Sequence, residues 1–361
     1  MCGATIAATA EAPPIRKGRG RELLRLGLLA AALLIGFVPV LRFIGSMLWF
    51  HNFLGDYQVF WGIGSAPLAW VYGYYGFPYP VTALFLVRLF GLLPFWPSYV
   101  AWGLASSVSI ACASRRMIST GALALGFCTS AMISVLAGGQ TSLFIGALII
   151  AGLSSRDPRW RGIFLAAAAV MKPQSLLAAP IALIAERNWR AIGWAIATAV
   201  VLIVLSALVF GLDTWVRWAI NLNRFPTYLT TRGIDLQDVG AYGIVRAAGL
   251  PGWAFVVGIP PAIATSWLMF CQNTKLVDRY VAFVCSTVML SPYTMSYDLA
   301  GLSLACTALL LDRERSALTW VAAALIVSSV FANVGIVMMT GLLGYEALSN
   351  FRTSSSAASP R

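Results

Sequence analysis

Residues 191–210 read AIGWAIATAVVLIVLSALVF, and this segment indicates the class of protein. None of these residues is charged, and an α-helix of about 20 residues covers the roughly 30 Å hydrocarbon core of a bilayer. The rest of the chain has the same character, since 59% of its 361 residues are hydrophobic and 11% are charged. This composition excludes a soluble globular enzyme, a disordered chain and a nucleic-acid-binding module, and it predicts an all-α polytopic membrane protein.

Basic residues indicate how the chain crosses the membrane. It carries 25 Lys and Arg against 13 Asp and Glu, a formal net charge of +12. Several groups fall in short breaks between apolar stretches: Arg115 and Arg116; Arg156, Arg159 and Arg161; Arg187 and Arg190; Lys275 and Arg279; Arg313 and Arg315. Because cytoplasmic loops are enriched in Lys and Arg, we expect these breaks inside, together with the basic run 16–25 before the first span. That first span then reads as an uncleaved signal anchor.

With these breaks in the cytoplasm, the chain crosses the membrane about 11 times. The predicted spans are 26–48, 97–114, 117–136, 141–154, 162–171, 174–185, 191–210, 253–270, 280–291, 299–311 and one or two within 317–344. Segments 162–171 and 174–185 are too short to cross as straight helices, so we expect them to bend or break. Residues 49–96 form a large first extracytoplasmic loop with an interfacial helix over 81–93, and residues 211–252 form a second outer loop.

The chain accordingly divides into three parts. Residues 1–22 are predicted to be a disordered, basic cytoplasmic N-terminus, residues 23–348 a single transmembrane domain, and residues 349–361 a disordered tail. No strong internal repeat is evident within the transmembrane domain.

This arrangement gathers polar residues at the outer ends of the spans. They are Asp56, Gln140, Lys172, Gln174, Tyr293, Tyr297 and Asp298. Each has an ordinary explanation: a solvated loop residue for Asp56, a snorkelling side chain for Lys172 and a helix N-cap for Asp298. Their convergence on one face of the membrane favours a functional site.

An aromatic cluster lies in the first outer loop, with these members: Tyr72, Tyr74, Tyr75, Phe77 and Tyr79. Such a cluster is typical of the aromatic belt at a membrane interface. It is equally compatible with stacking on a sugar ring or packing on an isoprenoid chain, and these interpretations do not exclude one another.

Metal chemistry has little support in the sequence. The chain has a single histidine, His51, and its six cysteines form no CxxC pair, so the usual zinc and haem motifs are missing. Asp56 and Asp298 together could hold a divalent ion, but two carboxylates without histidine are a poor transition-metal site. We therefore expect no metal and no cofactor.

Six short motifs occur in a distinctive order: GDY at 55–57, FPYP at 77–80, LLPFW at 92–96, GGQTSLF at 138–144, MKPQSLL at 171–177 and SPYTMSYDLAGL at 291–302. Each is nonspecific by itself, but their order and spacing over residues 25–345 resemble glycosyltransferase family 87. Members of this family are similar to polyprenol-phosphate-mannose-dependent α-mannosyltransferases.

The resemblance implies a GT-C-like bundle whose cavity opens to the extracytoplasmic side of a bacterial inner membrane. It implies a polyprenyl-phosphate sugar as donor, with mannose the first choice of hexose, and a glycolipid or polysaccharide as acceptor. Asp56 occupies the position of the catalytic base in the first outer loop of related enzymes. We expect an inverting displacement without a covalent intermediate.

The remaining candidates are assigned by the needs of this reaction. A cation must stabilise the departing phosphate, and Lys172 is the first candidate, followed by Arg88 and Arg232. The sugar and the acceptor are expected to contact a further set of polar and aromatic residues: Gln140, Gln174, Tyr75, Tyr79, Tyr293, Tyr297 and Asp298. The helix over 81–93 is expected to contact the prenyl tail. The sequence leaves the oligomeric state open.

Two other classes of membrane protein stay open at this point. A secondary transporter places ionisable groups near the bilayer midplane and often contains inverted repeats, whereas here the carboxylates lie at outer ends. A lipid-handling protein without transferase activity is the second alternative. Replacement of Asp56 by Asn separates both from a transferase, because only the transferase needs that base.

Overall fold

Helices make up nearly all the regular structure of the computed structural model, which describes residues 17–50, 55–73, 77–231 and 238–357. Within that part they are α1 (Lys17–Phe50), α2 (Gly55–Ser65), α3 (Leu84–Gly91), α4 (Phe95–Ser114), α5 (Thr120–Phe127), α6 (Ser130–Gly138), α7 (Ser142–Ser154), α8 (Pro158–Met171), α9 (Ala179–Ala185), α10 (Trp189–Phe210), α11 (Leu212–Thr231), α12 (Ala241–Ala247), α13 (Ile259–Phe270), α14 (Leu276–Leu290), α15 (Ala300–Leu311), α16 (Ala317–Ser328) and α17 (Ala332–Ala357). The described residues contain no β-strand, only an isolated antiparallel bridge between Asp238 and Met295.

The helices are those of a membrane-embedded protein. Four stretches of the described residues are long and apolar enough to cross a bilayer: Gly20–Arg42, Trp189–Phe210, Gly252–Phe270 and Ala332–Thr353. The all-α class is confirmed. The count of about 11 spans stays a prediction, because most of the other apolar helices in the described part are shorter than a bilayer is thick.

One predicted span is not a single helix. Residues 117–136 were expected to cross in one piece, but α5 and α6 meet at an angle of 62°. The break lies at Thr129, whose backbone is extended and whose hydroxyl donates to the carbonyl of Gly126 at 2.8 Å. The amide of Thr129 donates to the same carbonyl at 3.1 Å, so two donors of one residue satisfy the end of α5 and stabilise the bend locally.

The two short predicted spans differ. α8 runs through 162–171 without a break, whereas 174–185 is divided between a 3₁₀ turn and α9. The predicted turn that joins the two segments is present. It lies at Lys172, where α8 ends and a 3₁₀ turn, Pro173–Leu176, leads towards α9. Proline cannot donate the amide hydrogen bond that would continue α8, and it disfavours helical backbone at the residue before it. Lys172 accordingly adopts a non-helical conformation, with φ −148° and ψ 80°.

Helix extends into both predicted disordered ends. α1 begins at Lys17 and α17 ends at Ala357. At the N-terminal end, the guanidinium of Arg21 donates to the carbonyl of Arg315 at 3.0 Å, and Arg25 is buried. These tertiary contacts stabilise the start of α1, where the basic residues by themselves favour a solvated, disordered segment.

The first outer loop is a packed unit of short helices. α2 crosses α3 where Gly64 meets Gly91, so closely that a Cβ on Gly91 would lie 2.3 Å from the Gly64 carbonyl carbon. The predicted interfacial helix over 81–93 is a 3₁₀ turn followed by α3, with Leu84 and Val87 buried and Leu92 exposed. The second outer loop contains the amphipathic helix α11, which the sequence analysis did not anticipate.

Candidate active site

Asp56 and Gln140 form the first part of the candidate site. Asp56 lies in the first turn of α2, and the amide nitrogen of Gln140 donates a hydrogen bond to its carboxylate. Gln140 follows Gly139, which ends α6 in the left-handed conformation with φ 63°. A Cβ on Gly139 would lie 2.5 Å from the Cβ of Tyr57, so only glycine allows this turn to approach α2. The GGQ motif therefore positions the amide that orients Asp56.

The environment of Asp56 makes it a stronger base than a solvated aspartate. Solvent reaches its side chain, yet the surrounding protein desolvates the carboxylate and raises its pKa. The hydrogen bond from Gln140 and the positive charge of Lys172 lower the pKa, but by less than desolvation raises it. An accessible carboxylate with a raised pKa is suited to general-base chemistry.

Lys172 and Asp298 form the second part of the site. The ammonium of Lys172, which is 4% exposed, forms an ion pair with Asp298. The same carboxylate accepts hydrogen bonds from the Ser142 hydroxyl at 2.8 Å and from the backbone amide of Met295 at 3.3 Å. Asp298 thereby joins the KPQ, GGQTS and SPYTMSYD motifs. It also caps the 3₁₀ turn that precedes α15, so the capping explanation of this residue is confirmed.

Two tyrosines complete the surroundings of Lys172. Its ammonium lies 5.9 Å from the ring centroid of Tyr79 and 5.5 Å from that of Tyr297. The Tyr79 hydroxyl is 3.0 Å from the Thr141 hydroxyl and either atom can donate. The aromatic segment at 77–80 therefore contacts the GGQT turn directly instead of lying in a membrane-surface belt.

A small cavity adjoins the ion pair. It has a volume of about 40 Å³, and its polar lining includes Ser142, Gln174 and Thr294 as well as Lys172 and Asp298. A cavity of this size is large enough for ordered water and too small for a sugar ring.

The structure brings most of the candidate residues together. Asp56, Gln140, Lys172 and Asp298 interact as described above, and Tyr79, Tyr297 and Gln174 surround them. Tyr293 is near the same group, and its ring lies edge-on to Phe225 of α11 with centroids 5.9 Å apart. Arg88 is not part of this group, because its guanidinium donates to the carbonyl of Ala66 at 2.6 Å. Tyr75 and Arg232 lie outside the described residues.

The sequence analysis missed Asp238, which lies in the second outer loop and is 7% exposed. Its Oδ1 accepts hydrogen bonds from the amides of Gly240 at 2.8 Å and Thr294 at 3.0 Å. Burial raises the pKa of this carboxyl, while its backbone hydrogen bonds lower it. Asp238 thus fastens the second outer loop to the loop that carries Asp298. The signal that could have identified it is its position directly before the uncharged segment VGAYG, residues 239–243.

No group of three or more His, Cys, Asp or Glu side chains arranged to hold a metal ion occurs among the described residues. Chemically, the site combines an accessible carboxylate with a buried ammonium and several hydroxyl groups. It can accept a proton at Asp56 and stabilise negative charge near Lys172.

Comparison with known families agrees with these motifs. The family model of glycosyltransferase family 87 matches residues 77–292, more than half of the chain. The chain belongs to glycosyltransferase family 87. The matched residues include the FPYP, GGQTSLF and MKPQSLL motifs of this chain. Asp56 and Asp298 lie outside the matched range. No curated protein and no solved structure matches the chain. The protein is therefore a membrane-embedded glycosyltransferase.

Proposed function

We propose that this protein transfers a hexose, with mannose the first choice, from a polyprenyl-phosphate sugar to a hydroxyl of a glycolipid or polysaccharide. In this proposal the reaction takes place at the extracytoplasmic face of a bacterial inner membrane. The observation that carries it is the juxtaposition of Asp56, accessible and oriented by Gln140, with the buried cation Lys172. A transferase using a lipid-phosphate donor needs a base and a cation in this relation.

In the proposed reaction, Asp56 accepts the proton of the acceptor hydroxyl while the hydroxyl oxygen attacks the anomeric carbon of the donor. The bond between that carbon and the phosphate oxygen breaks, and polyprenyl phosphate leaves with the electron pair. The attack inverts the anomeric configuration, and the proton stays on Asp56 until solvent removes it. No covalent sugar–enzyme intermediate and no metal take part.

Lys172 stabilises the negative charge that develops on the phosphate. Its ion pair with Asp298 orients the ammonium and uses one of its three donors, which leaves two for phosphate oxygens. Asp298 is in this view a positioning residue for Lys172. Gln140, Tyr79, Tyr293 and Tyr297 contribute hydroxyl and amide groups for the sugar.

The test compares membranes that contain equal amounts of wild-type protein, Asp56→Asn and Asp213→Asn. Asp213 is a matched control because it is an exposed carboxylate in the first turn of α11. Radiolabelled polyprenyl-phosphate mannose is supplied, and label is followed into glycolipid and polysaccharide. We expect transfer by wild type and Asp213→Asn, and at least a hundredfold less by Asp56→Asn, since a general base contributes about 10²–10⁴-fold.

Each other outcome contradicts a defined part of the proposal. Equal transfer by Asp56→Asn would remove Asp56 as the base. Absence of transfer by wild type, together with transfer from another polyprenyl-linked sugar, would reject mannose while keeping the reaction class. Absence of transfer from every polyprenyl-linked sugar would reject a polyprenyl-phosphate sugar as the donor of this glycosyltransferase.

A further inference from the structure

An open cavity of about 590 Å³ lies at the other end of the helices from the candidate active site. Arg161, in the first turn of α8, contributes to its lining, whereas Lys172 directly follows the last residue of that helix. Eleven helical residues separate the two positions by about 16 Å along the axis. This second cavity is at the end predicted to face the cytoplasm, and the proposed transfer reaction does not use it.

The cavity is surrounded by excess positive charge. The carboxylate of Glu186 forms ion pairs with both Arg161 and Arg279, so one negative charge faces two positive ones. These side chains are largely shielded, with exposures of 12% for Arg161, 15% for Arg279 and 12% for Glu186. Arg187 also lines the cavity and adds a third positive charge. Shielded charge without full compensation favours the binding of an anion.

The backbone at Arg187 is conformationally costly. Its φ of 54° is left-handed, a region in which glycine is the usual residue at the end of a helix. The turn is stabilised by hydrogen bonds from the Arg187 amide to the Ile184 carbonyl and from the Asn188 amide to the Leu183 carbonyl, both at 2.9 Å. An arginine in a position that suits glycine points to a use for its side chain.

The residues around the cavity place it at the depth of lipid headgroups. Three exposed tryptophans, Trp160, Trp189 and Trp194, lie in the first two turns of α8 and α10, and the first two are next in the chain to the cavity residues Arg161 and Asn188. The guanidinium of Arg159 lies over Trp160 and Trp194, at 5.7 Å and 5.3 Å from the ring centroids. Exposed tryptophans with neighbouring arginines are typical of the membrane interface. α10 begins directly after Asn188 and packs along α8, while its membrane-spanning window is only 6% buried, so most of its surface is left to face lipid.

We propose that this cavity binds the phosphodiester headgroup of an anionic phospholipid from the leaflet at this end of the bundle. Guanidinium groups offer paired N–H donors that match phosphate oxygens, and basic pockets between membrane helices bind anionic headgroups. The position at headgroup depth, next to a lipid-facing helix, favours a lipid over a dissolved phosphate. The inference is independent of the donor and acceptor in the proposed reaction.

The test uses purified full-length wild type and three variants: Arg187→Gln, Arg187→Lys and Arg116→Gln. Arg116 is the matched control, since it is an exposed arginine in another turn at the same predicted membrane face, between α4 and α5. Each protein is reconstituted in nanodiscs of phosphatidylcholine with increasing phosphatidylglycerol. Lipid retention is measured by native mass spectrometry and thermal stability by intrinsic fluorescence, with inorganic phosphate as a separate ligand.

We expect phosphatidylglycerol to bind and stabilise wild type, Arg116→Gln and Arg187→Lys. Arg187→Gln should bind it about tenfold more weakly, the loss expected for one charge-assisted hydrogen bond to phosphate. Arg187→Lys and Arg187→Gln both keep a side chain in the unfavourable left-handed backbone conformation, but only Arg187→Lys keeps the positive charge. A difference between these two variants therefore reports on lipid binding and not on a folding defect. Equal phosphatidylglycerol affinity in all four proteins would overturn the proposal, and so would stabilisation by inorganic phosphate without any preference for phosphatidylglycerol.

Discussion

Replacement of Asp238 tests whether the second outer loop holds the candidate active site together. In Asp238→Ala, the amides of Gly240 and Thr294 lose their common acceptor, Oδ1, while they stay buried. An unsatisfied buried amide costs about 1–3 kcal/mol, so the loss should be about 2–6 kcal/mol in the free energy of unfolding. That is a large fraction of the stability of a typical domain.

Asp238→Asn is the matched variant. The asparagine Oδ1 can accept the same two hydrogen bonds, and its amide nitrogen replaces Oδ2, a buried oxygen without a hydrogen-bond partner in the described part of the chain. The asparagine variant therefore leaves one buried group unsatisfied, at a cost of about 1–3 kcal/mol, whereas Asp238→Ala leaves two. Burial already raises the pKa of Asp238, so replacing its charge by a neutral amide removes little that folding needs.

The assay for both variants is thermal unfolding in detergent, followed by sugar transfer at a temperature at which each protein is folded. We expect Asp238→Ala to lose much more stability than Asp238→Asn, and to lose transfer activity through displacement of the loop that carries Asp298. Equal destabilisation by the two substitutions would refute the reasoning, because it would show that the charge of Asp238, and not its acceptor atom, holds the loops.

Three further predictions concern the site itself. Because desolvation raises the pKa of Asp56, the transfer rate should decrease as the pH is lowered, with a midpoint above the ordinary aspartate pKa of about 4. A rate that stays constant down to pH 4 in folded protein would contradict a base at this position. Lys172→Met leaves the Asp298 carboxylate buried without its cation and should destabilise the protein by about 3–5 kcal/mol. The double variant Lys172→Met/Asp298→Asn should recover part of this stability while transfer stays lost. Unfolding and transfer measurements on both variants check this, and the absence of recovery would argue against a paired charge. Gly139→Ala places a side chain in a left-handed conformation, which is about 1–2 kcal/mol unfavourable, and puts its Cβ 2.5 Å from a neighbouring carbon. Unfolding and transfer assays should both show a loss for this variant and none for Gly193→Ala, whose Cβ position has open space around it. Equal behaviour of the two variants would contradict the close turn.

The aromatic segment illustrates where local pattern and tertiary structure diverge. Tyr72, Phe77 and Tyr79 have the composition of an interfacial belt, but they are buried, and the Tyr72 hydroxyl donates to the Tyr79 carbonyl at 2.9 Å. A tyrosine has an apolar ring and a polar tip, so it satisfies either environment. Which environment it occupies depends on α2, α4 and α11, and none of these contacts can be inferred from spacing along the chain.

Elements whose stability is local follow from the order of residues along the chain. Residues 191–210 become α10, and the proline after Lys172 ends α8, because helical hydrogen bonds join residues four apart and lipid favours apolar side chains in any arrangement. Tertiary structure alone decided the contacts of the site. Gln140 meets Asp56 across 84 positions and Lys172 meets Asp298 across 126. Asp238 could not be identified from the sequence for the same reason. Its partner Thr294 is 56 positions away, and the role of this carboxylate depends on the amides that donate hydrogen bonds to it.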